Sequence, residues 1–227
     1  MSHDEREPLI VALGVPVSAE LLELALTHRS FAYENGGVPH NERLEFLGDS
    51  VLGLAVTEKL YVDNPDLPEG SLAKMRASVV STVALAVIAR RIDLGRYIRL
   101  GRGEELTGGR DKSSILADTT EALFGAVFLD SGPEVAKDLV LRLVSPLIGD
   151  IDRFGATMDP KTSLQEAIGG PAPTYSVSSS GPDHSRVFVA RVSVGSVVSA
   201  EGTGSSKKHA EMAAALAAWT ELDARNS

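Results

Sequence analysis

The chain has 227 residues, of which 43% are hydrophobic and 23% are charged, and it contains no cysteine. It is too apolar for an intrinsically disordered chain, and the lack of cysteine excludes disulfides and thiolate metal sites. The net charge of −9 lies mostly in the N-terminal part, because residues 1–155 carry 16 basic and 24 acidic residues whereas residues 156–227 carry 6 and 7.

The beginning of the chain, MSHDEREPLI, is acidic and lacks the basic and apolar segments of a secretory signal. The longest apolar stretches, residues 78–89 and 122–129, are shorter than the roughly 20 residues that a membrane span requires. We therefore expect a cytoplasmic protein with no membrane span.

Residues 18–154 show apolar side chains at three- and four-residue spacing, which is typical of amphipathic helices. The breaks fall at NPDLPEG, GRGEELTGGR and DSGP, where Gly and Pro are frequent. The predicted helices span residues 19–28, 42–61, 72–91, 114–129 and 133–154. We expect an all-α domain over residues 1–154.

The second predicted helix begins with NERLEFLGDSVL, in which Glu42, Glu45 and Asp49 stand at i, i+3 and i+7. At about 100° per residue, these carboxylates fall within an arc of about 60° on one side of the helix. The predicted core face is opposite and consists of Leu44, Leu47, Val51 and Leu54. The carboxylates form either a solvated acidic face or a site for a cation.

Phe46 lies about 40° around the same helix from the carboxylates and away from the leucines. A large aromatic side chain beside charges must be covered. Another part of the same chain is one candidate for that cover.

A second carboxylate pair, Asp118 and Glu121, stands at i and i+3 in KSSILADTTEALFGAVFLD. The helix that carries this pair is apolar on nearly every other face, so we expect it in the core. Buried carboxylates are costly unless their charge is compensated, and a divalent metal with oxygen ligands does this. The second pair therefore favours a cation site. Glu69, in the predicted loop PEGS, is a further candidate, although a solvated side chain is the alternative there.

The helical spacing of apolar residues gives way to a mixed pattern of helices and strands after a predicted linker at residues 155–160. A short helix at residues 161–168 is followed by strands at residues 174–180, 186–194 and 197–201 and by a last helix at residues 206–223. In the second strand, alternate residues predict one covered face, namely Phe188, Ala190, Val192 and Val194. Residues 161–227 are therefore predicted to form an α+β domain in the order α-β-β-β-α.

Two lysines, Lys207 and Lys208, stand at the beginning of the last predicted helix. Cations are unfavourable at the positive end of a helix dipole, and an anion bound there would reconcile them with that position. The alternative is that the lysines stand there by accident.

Five segments, namely NERLEFLGDSVL, EGSLAKMRASVV, KSSILADTTEALFGAVFLD, DPKTSLQEA and GTGSSKKHAE, resemble segments of the ribonuclease III family in the same order. The resemblance covers nearly the whole chain. It implies a Mg²⁺-dependent endonuclease for double-stranded RNA, with Mn²⁺ as a substitute. It further implies products with 5′-phosphate and 3′-hydroxyl ends and short 3′ overhangs, and a role in processing ribosomal RNA precursors and other structured transcripts.

The resemblance also assigns roles to residues of the predicted nuclease domain. It implies that Glu45, Asp118 and Glu121 bind the metal, that Asp49 and Glu121 are catalytic, and that Glu42 and Glu69 support them. It implies a homodimer with Phe46 at the interface, so that each of two sites cuts one strand of the duplex. His28 is predicted to be a packing residue, whereas Lys112 and Arg110 either approach the phosphate or belong to a solvated loop.

The C-terminal domain resembles a double-stranded RNA-binding domain, a fold that recognises the shape of A-form RNA. The resemblance implies RNA contacts by Gln165 and Glu166 of its first helix, by His184 in the loop GPDHSR, and by Lys207 and Lys208. Two other functions compete with the nuclease: a scaffold that only binds duplex RNA, and a metal-binding regulator with a fused RNA module. Every acidic position expected of the nuclease is filled, which favours the enzyme.

Overall fold

The computed structural model describes residues 3–148, 159–182, 186–195 and 198–226. The chain divides into two compact units, Met1–Gly149 and Asp150–Ser227. The first is helical and the second combines helices with a sheet, as predicted. Residues 155–158 of the predicted linker lie outside the described residues, while Asp159 caps the next helix and Pro160 is its first residue.

The helices of the first unit are α1 (His3–Leu13), α2 (Ala19–Ala25), α3 (Arg29–Glu34), α4 (Glu42–Asp63), α5 (Glu69–Val79), α6 (Thr82–Arg91), α7 (Arg102–Leu106), α8 (Ser113–Ser131) and α9 (Pro133–Ile148). Short 3₁₀ turns at Leu94–Tyr97 and Gly109–Asp111 flank α7. Helix α8 lies at the centre, with α2, α4, α6 and α9 packed around it. Its buried side chains lie on nearly every face, which confirms the predicted core helix.

Helices α4 and α8 approach each other most closely at two glycines, Gly48 and Gly125. A Cβ atom on Gly48 would overlap the backbone carbonyl oxygen of Glu121, and one on Gly125 would overlap that of Leu44. The two backbones are therefore in direct contact, and this contact brings the carboxylates of α4 beside those of α8.

The buried face of α4 differs from the predicted one. The buried residues are Leu44, Gly48, Leu52, Ala55, Val56 and Leu60. Leu54 is 70% exposed, and Leu47 and Val51 are only partly buried. The core face is thus rotated toward the carboxylates, because the glycine contact with α8 determines which side of α4 points inward. Phe46 remains outside that face.

Several predicted boundaries of the first unit were wrong. The helix predicted over residues 72–91 is two helices, because the Ser81 hydroxyl accepts a hydrogen bond from Ala84 N–H and begins α6 anew. Helix α2 ends earlier than predicted because Thr27 forms a bridge with Arg99. The predictions did not include α1, although its Leu9 and Leu13 are fully buried. The predicted helix over residues 133–154 is described as far as Ile148.

The second unit contains α10 (Pro160–Ile168), β1 (Thr174–Ser180), β2 (Val187–Val194), β3 (Val198–Gly204) and α11 (Lys207–Asn226). Its strands form one antiparallel sheet in the order β1-β2-β3. The predicted face of β2 is confirmed, because Ala190, Val192 and Val194 are buried with Phe188 packed against them. The helices cover this face through Leu164, Ala210, Ala214, Ala215, Ala218 and Trp219.

In the part of the chain that the structure describes, no single helix is long and apolar enough to cross a membrane. By length and composition alone, only the bent pair α5 and α6 meets that requirement.

Candidate metal site and RNA-binding residues

Three carboxylates meet where α4 and α8 cross. Glu45 comes from α4, and Asp118 and Glu121 come from α8, and one oxygen of each lies within 4.8 Å of the others. All three side chains are partly buried, and none forms an ion pair with another described residue. Oxygen ligands at this spacing are the set that a hard divalent cation prefers, so these residues fit a metal ion. We refer to them as the carboxylate cluster.

The electrostatics of the cluster indicate uncompensated negative charge. Burial is the largest cause of a raised pKa at Glu121, and together with the charges of Asp49, Asp118 and Glu45 it brings that pKa to about 8. Burial is also the main cause that raises the pKa of Asp118 and of Glu45. Each group resists ionisation in the metal-free chain. A bound cation would remove this resistance.

The other three predicted carboxylates, Asp49, Glu42 and Glu69, are not part of the cluster. Asp49 is exposed one turn along α4 from Glu45, and its charge acts on Glu121. Glu42 is at the start of α4, where it pairs with Arg29 at 3.3 Å between Nη1 and Oε1. Glu69 is not in a loop, as predicted, but is the first residue of α5. Among the described residues, its charge is not one of those that shift the pKa values of the cluster.

A cleft of about 430 Å³ opens beside the carboxylate cluster. It shares Glu45 and Asp118 with the cluster. The other residues that line it are His28, Arg29, Asn41, Glu42, Glu104, Lys112, Ser114 and Ile115. Acidic and basic side chains therefore face the same space.

The structure gives different roles to three further side chains, Arg110, Lys112 and His28. Arg110 holds the loop before α8, because its Nη1 donates to the carbonyl oxygens of Gly95, Arg96 and Ile98. Lys112 lines the cleft. His28 does more than pack, because its side chain accepts a hydrogen bond from Ser30 N–H as the cap of α3 and also lines the cleft.

Sequence reasoning missed residues that build this site. Asn41 is buried and donates from its amide to the Ala25 carbonyl oxygen at 3.2 Å, which anchors the start of α4. Gly48 and Gly125 allow the helices to touch. The available signal was a glycine within one turn of a carboxylate in each helix, at Glu45 and at Glu121.

Four of the five predicted RNA-contacting residues of the second unit lie on its two helices. The Gln165 amide of α10 donates to the Gly170 carbonyl oxygen at 3.1 Å, and Glu166 is exposed. Lys207 and Lys208 are exposed at the first two positions of α11 and have no acidic partner among the described residues. His184 lies outside the described residues.

An exposed apolar strip runs along α4 beside the cluster. Phe46 is 79% exposed, Leu54 is 70% exposed and Tyr61 is 71% exposed. These side chains follow one another at intervals of seven or eight residues, so they share one side of the helix. Within the first unit, no described residue covers Phe46.

The raised pKa of Glu121 predicts a pH-dependent stability of the metal-free chain. The folded state holds a proton on Glu121 up to a pH of about 8, whereas the unfolded state releases it near 4.5. The stability that this proton provides is present below pH 4.5 and is lost as the pH rises through 8. We expect Tm without metal to fall over this window, Mg²⁺ to restore it most at the alkaline end, and Glu121→Gln to flatten the profile. Differential scanning calorimetry in buffers of equal ionic strength checks this, and a Tm of wild type that rises over the window contradicts it.

Comparison with known proteins agrees with both units. Residues 18–147 match the family described as Ribonuclease-III-like, and residues 160–222 match the Double-stranded RNA binding motif. The chain is 64% identical over 223 residues to Ribonuclease 3 of Leifsonia xyli subsp. xyli, a match that covers 97% of this chain and 94% of the relative. It is 58% identical over 215 residues to Ribonuclease 3 of Streptomyces coelicolor, covering 93% of this chain and 78% of the relative.

A solved structure resembles the first unit. The nuclease domain of Ribonuclease III from Campylobacter jejuni is 42% identical, with a TM-score of 0.59, and the match covers 62% of this chain and 96% of that one. The description of that structure concerns flexibility in a region involved in its dimer formation.

Proposed function

The chain belongs to the ribonuclease III family, and on that premise we propose that it hydrolyses double-stranded RNA with Mg²⁺ bound at the carboxylate cluster. The family membership makes it an endoribonuclease that acts on duplex RNA. The observation that supports the metal is the approach of Glu45, Asp118 and Glu121 to within 4.8 Å without a compensating ion pair among the described residues. Mn²⁺ is the expected substitute, since it accepts the same oxygen ligands.

The residues of the cluster supply the ligands, and their helices supply the geometry. When bound, Mg²⁺ lowers the pKa of water and stabilises charge on the phosphate oxygens. The close approach of Gly48 to the Glu121 carbonyl oxygen fixes the backbone from which the Glu121 carboxylate extends. Asp49 is exposed on α4 and its charge acts on Glu121, and its carboxylate would hold and orient the attacking water molecule. We propose 5′-phosphate and 3′-hydroxyl products, which require water rather than the ribose 2′-hydroxyl as the nucleophile. We also propose short 3′ overhangs, which an offset between the two sites of a dimer would produce.

The second unit binds the duplex and thereby delivers it to the cluster. Its double-stranded RNA-binding motif recognises A-form shape rather than sequence. Recognition by shape fits substrates with long helical stems, and we propose precursors of ribosomal RNA and other structured transcripts in the cytoplasm as those substrates.

Replacement of Lys207 and Lys208 by alanine should weaken duplex binding without removing cleavage. Each lysine is exposed at the start of α11, and each lost phosphate contact lowers the salt slope of log affinity by somewhat under one unit. Binding assays at several salt concentrations should therefore give a slope that is smaller by roughly one to two units, while kcat at saturating RNA stays near wild type. Arg191→Ala is the control, because Arg191 is exposed on the face of the sheet that the helices do not cover. A double variant that binds normally but does not cleave would place the lysines in the chemistry.

We also propose a homodimer that buries the apolar strip of Phe46, Leu54 and Tyr61. Three exposed apolar side chains on one helix face are unfavourable in water and fit a self-complementary interface between two copies. Two clusters related by a two-fold axis would then face the two strands of one duplex.

The dimer predicts that Phe46→Asp reduces self-association. The buried charge would destabilise the interface, while the fold of one copy should survive because Phe46 is 79% exposed. Light scattering at micromolar concentration should give twice the chain mass for wild type and a lower mass for the variant. Tyr33→Asp, at a side chain that is 90% exposed on α3, is the matched control. A wild-type monomer at that concentration rules out the dimer.

Cleavage of a long duplex by the full-length chain tests the proposed function. We expect Mg²⁺-dependent conversion to short duplexes, no conversion with a chelator, and no cleavage of the separated strands. Mass spectrometry of products formed in ¹⁸O-labelled water should find the label in the 5′-phosphate. Cleavage that continues in the chelator, or label-free product ends, would refute the proposal.

A further inference from the structure

We propose, on the basis of the function proposed above, that the cleft beside the carboxylate cluster binds a second phosphodiester of the substrate through Arg29 and Lys112. This phosphodiester flanks the scissile one on the same strand. Cluster and cleft share Glu45 and Asp118, so a strand whose scissile phosphate lies at the cluster continues into the cleft. The cleft volume of about 430 Å³ has room for a sugar-phosphate unit.

Arg29 is held by a partner that an RNA phosphate can replace. Arg29 reaches Glu42 at 3.3 Å, and the two side chains are 72% and 47% exposed. An ion pair this exposed contributes little stability, so exchanging Glu42 for a phosphate costs little. The planar guanidinium carries five N–H donors that suit two phosphate oxygens at once.

Lys112 is held so that it can donate to a phosphate in the cleft. Its Nζ donates to a Glu104 carboxylate oxygen and to the Thr107 hydroxyl at 2.9 Å. An ammonium group has three N–H donors, so one is left for the cleft after these two bonds. Glu104 and Thr107 thus hold the lysine side chain in a fixed position before RNA arrives.

A neutral donor completes the cleft. The Ser30 N–H donates to His28 Nδ1, so the Ser30 hydroxyl, which lies 2.8 Å from Nδ1 and accepts from the Gly101 N–H, donates to Nδ1 as well. Nδ1 therefore accepts, and the ring proton is on Nε2. Burial lowers the pKa of His28, which keeps the ring neutral. Its Nε2–H is available to a phosphate or ribose oxygen in the cleft.

The charge of Arg29 also acts on the cluster itself. Its guanidinium lowers the pKa of Asp118 and of Glu45, against the effect of burial. A residue with only this electrostatic role would weaken metal binding, because it is a cation beside a cation site. Its removal would then strengthen metal binding and leave cleavage intact. If Arg29 instead contacts a phosphate, its removal should reduce cleavage.

The test combines protein variants with a neutral phosphate. A duplex is made with a methylphosphonate, which has no charge, at one of the linkages flanking the scissile phosphate, and single-turnover cleavage at subsaturating RNA is measured. For wild type, we expect the neutral linkage in the cleft to reduce cleavage about tenfold or more. The double variant Arg29→Ala/Lys112→Ala should be slower by a similar factor on the unmodified duplex and should lose nothing further with the modified one. Lys59→Ala/Arg96→Ala removes equal charge from surface pairs outside the cleft and should retain the wild-type response.

Two results would overturn the proposed contact. One is wild-type cleavage that is insensitive to a neutral linkage at either flanking position. The other is a double variant whose cleavage is slowed further by the neutral linkage, by the same factor as in wild type. The substitutions and the neutral linkage would then act independently, which means that the two side chains do not touch that phosphate. A wild-type chain that does not cleave the unmodified duplex refutes the proposed function instead. Thermal unfolding checks that the double variant is folded, and the modified substrate tests the wild-type chain without any variant.

Discussion

Glu121→Gln is expected to reduce Mg²⁺-dependent cleavage of duplex RNA by about 10³-fold or more at saturating substrate. The amide has the shape of the carboxylate but not its charge, so the site loses one of the three negative charges whose oxygens approach to within 4.8 Å. Glu121 also has the most strongly raised pKa of the cluster, which indicates that its site is the least compatible with an unpaired charge. Single-turnover cleavage measured across a Mg²⁺ titration checks the loss.

Duplex binding by this variant should stay near the wild-type level, because the second unit is untouched. Metal-free stability should rise slightly at alkaline pH, since no charge is then forced into the cluster. Glu134→Gln, at an exposed carboxylate in the first turn of α9, is the matched control and should cleave normally. Wild-type rates in the Glu121 variant would show that the chemistry takes place elsewhere.

Gly48→Ala is expected to cost about 3 kcal/mol of stability and to remove most cleavage. The added methyl group overlaps the Glu121 carbonyl oxygen, so α4 and α8 must move apart. That movement separates Glu45 from Asp118 and Glu121, and a displacement of about 1 Å at a reacting centre costs about 10²-fold in rate. Alanine is otherwise the better helix former by about 0.5–1 kcal/mol, so a net loss is diagnostic of the contact.

Chemical denaturation and cleavage of the same preparation measure both effects. Gly70→Ala, in the first turn of α5 with no atom within 4 Å of the new Cβ, is the control and should be neutral or stabilising. Gly125→Ala should reproduce the Gly48→Ala result from the other helix, because its Cβ overlaps the Leu44 carbonyl oxygen. Full activity in either variant would mean that the helices do not need this approach to form the site.

Much of the fold could be predicted because periodicity follows local physics. The burial of α8 was predicted from a helix that is apolar on nearly every face other than that of Asp118 and Glu121, and the structure confirms it. The covered face of β2 was predicted from alternate residues and is also confirmed. The failures arose where tertiary contacts decide the outcome. Leu54 fits a helical core pattern but is exposed, since the glycine contact turns another side of α4 inward. The break before α6 depends on one serine cap, at Ser81, inside an otherwise continuous apolar pattern.

The carboxylates of the site could be predicted from their spacing within each helix, but their meeting could not. Spacing places Glu45 beside Asp49 and Asp118 beside Glu121, whereas the crossing of α4 and α8 determines which of them meet in the cluster. Glu69 could not be assigned from its local sequence. It was expected in a loop but begins a helix, and among the described residues its charge is not one of those that shift the pKa of Glu121. The cleft beside the cluster depends on Arg29, whose position follows from the cap of α3 rather than from any spacing motif.

The most direct test of the cluster is a Mn²⁺ titration in which bound metal, by electron paramagnetic resonance, and duplex cleavage are measured in the same samples. Mn²⁺ accepts the same oxygen ligands as Mg²⁺ and is visible to the method. If Glu45, Asp118 and Glu121 hold the metal, wild type binds Mn²⁺ over the same concentration range in which cleavage appears, and the variant Glu45→Gln/Asp118→Asn/Glu121→Gln neither binds nor cleaves. Undiminished Mn²⁺ binding or cleavage in that variant would contradict the assignment of the metal to this cluster.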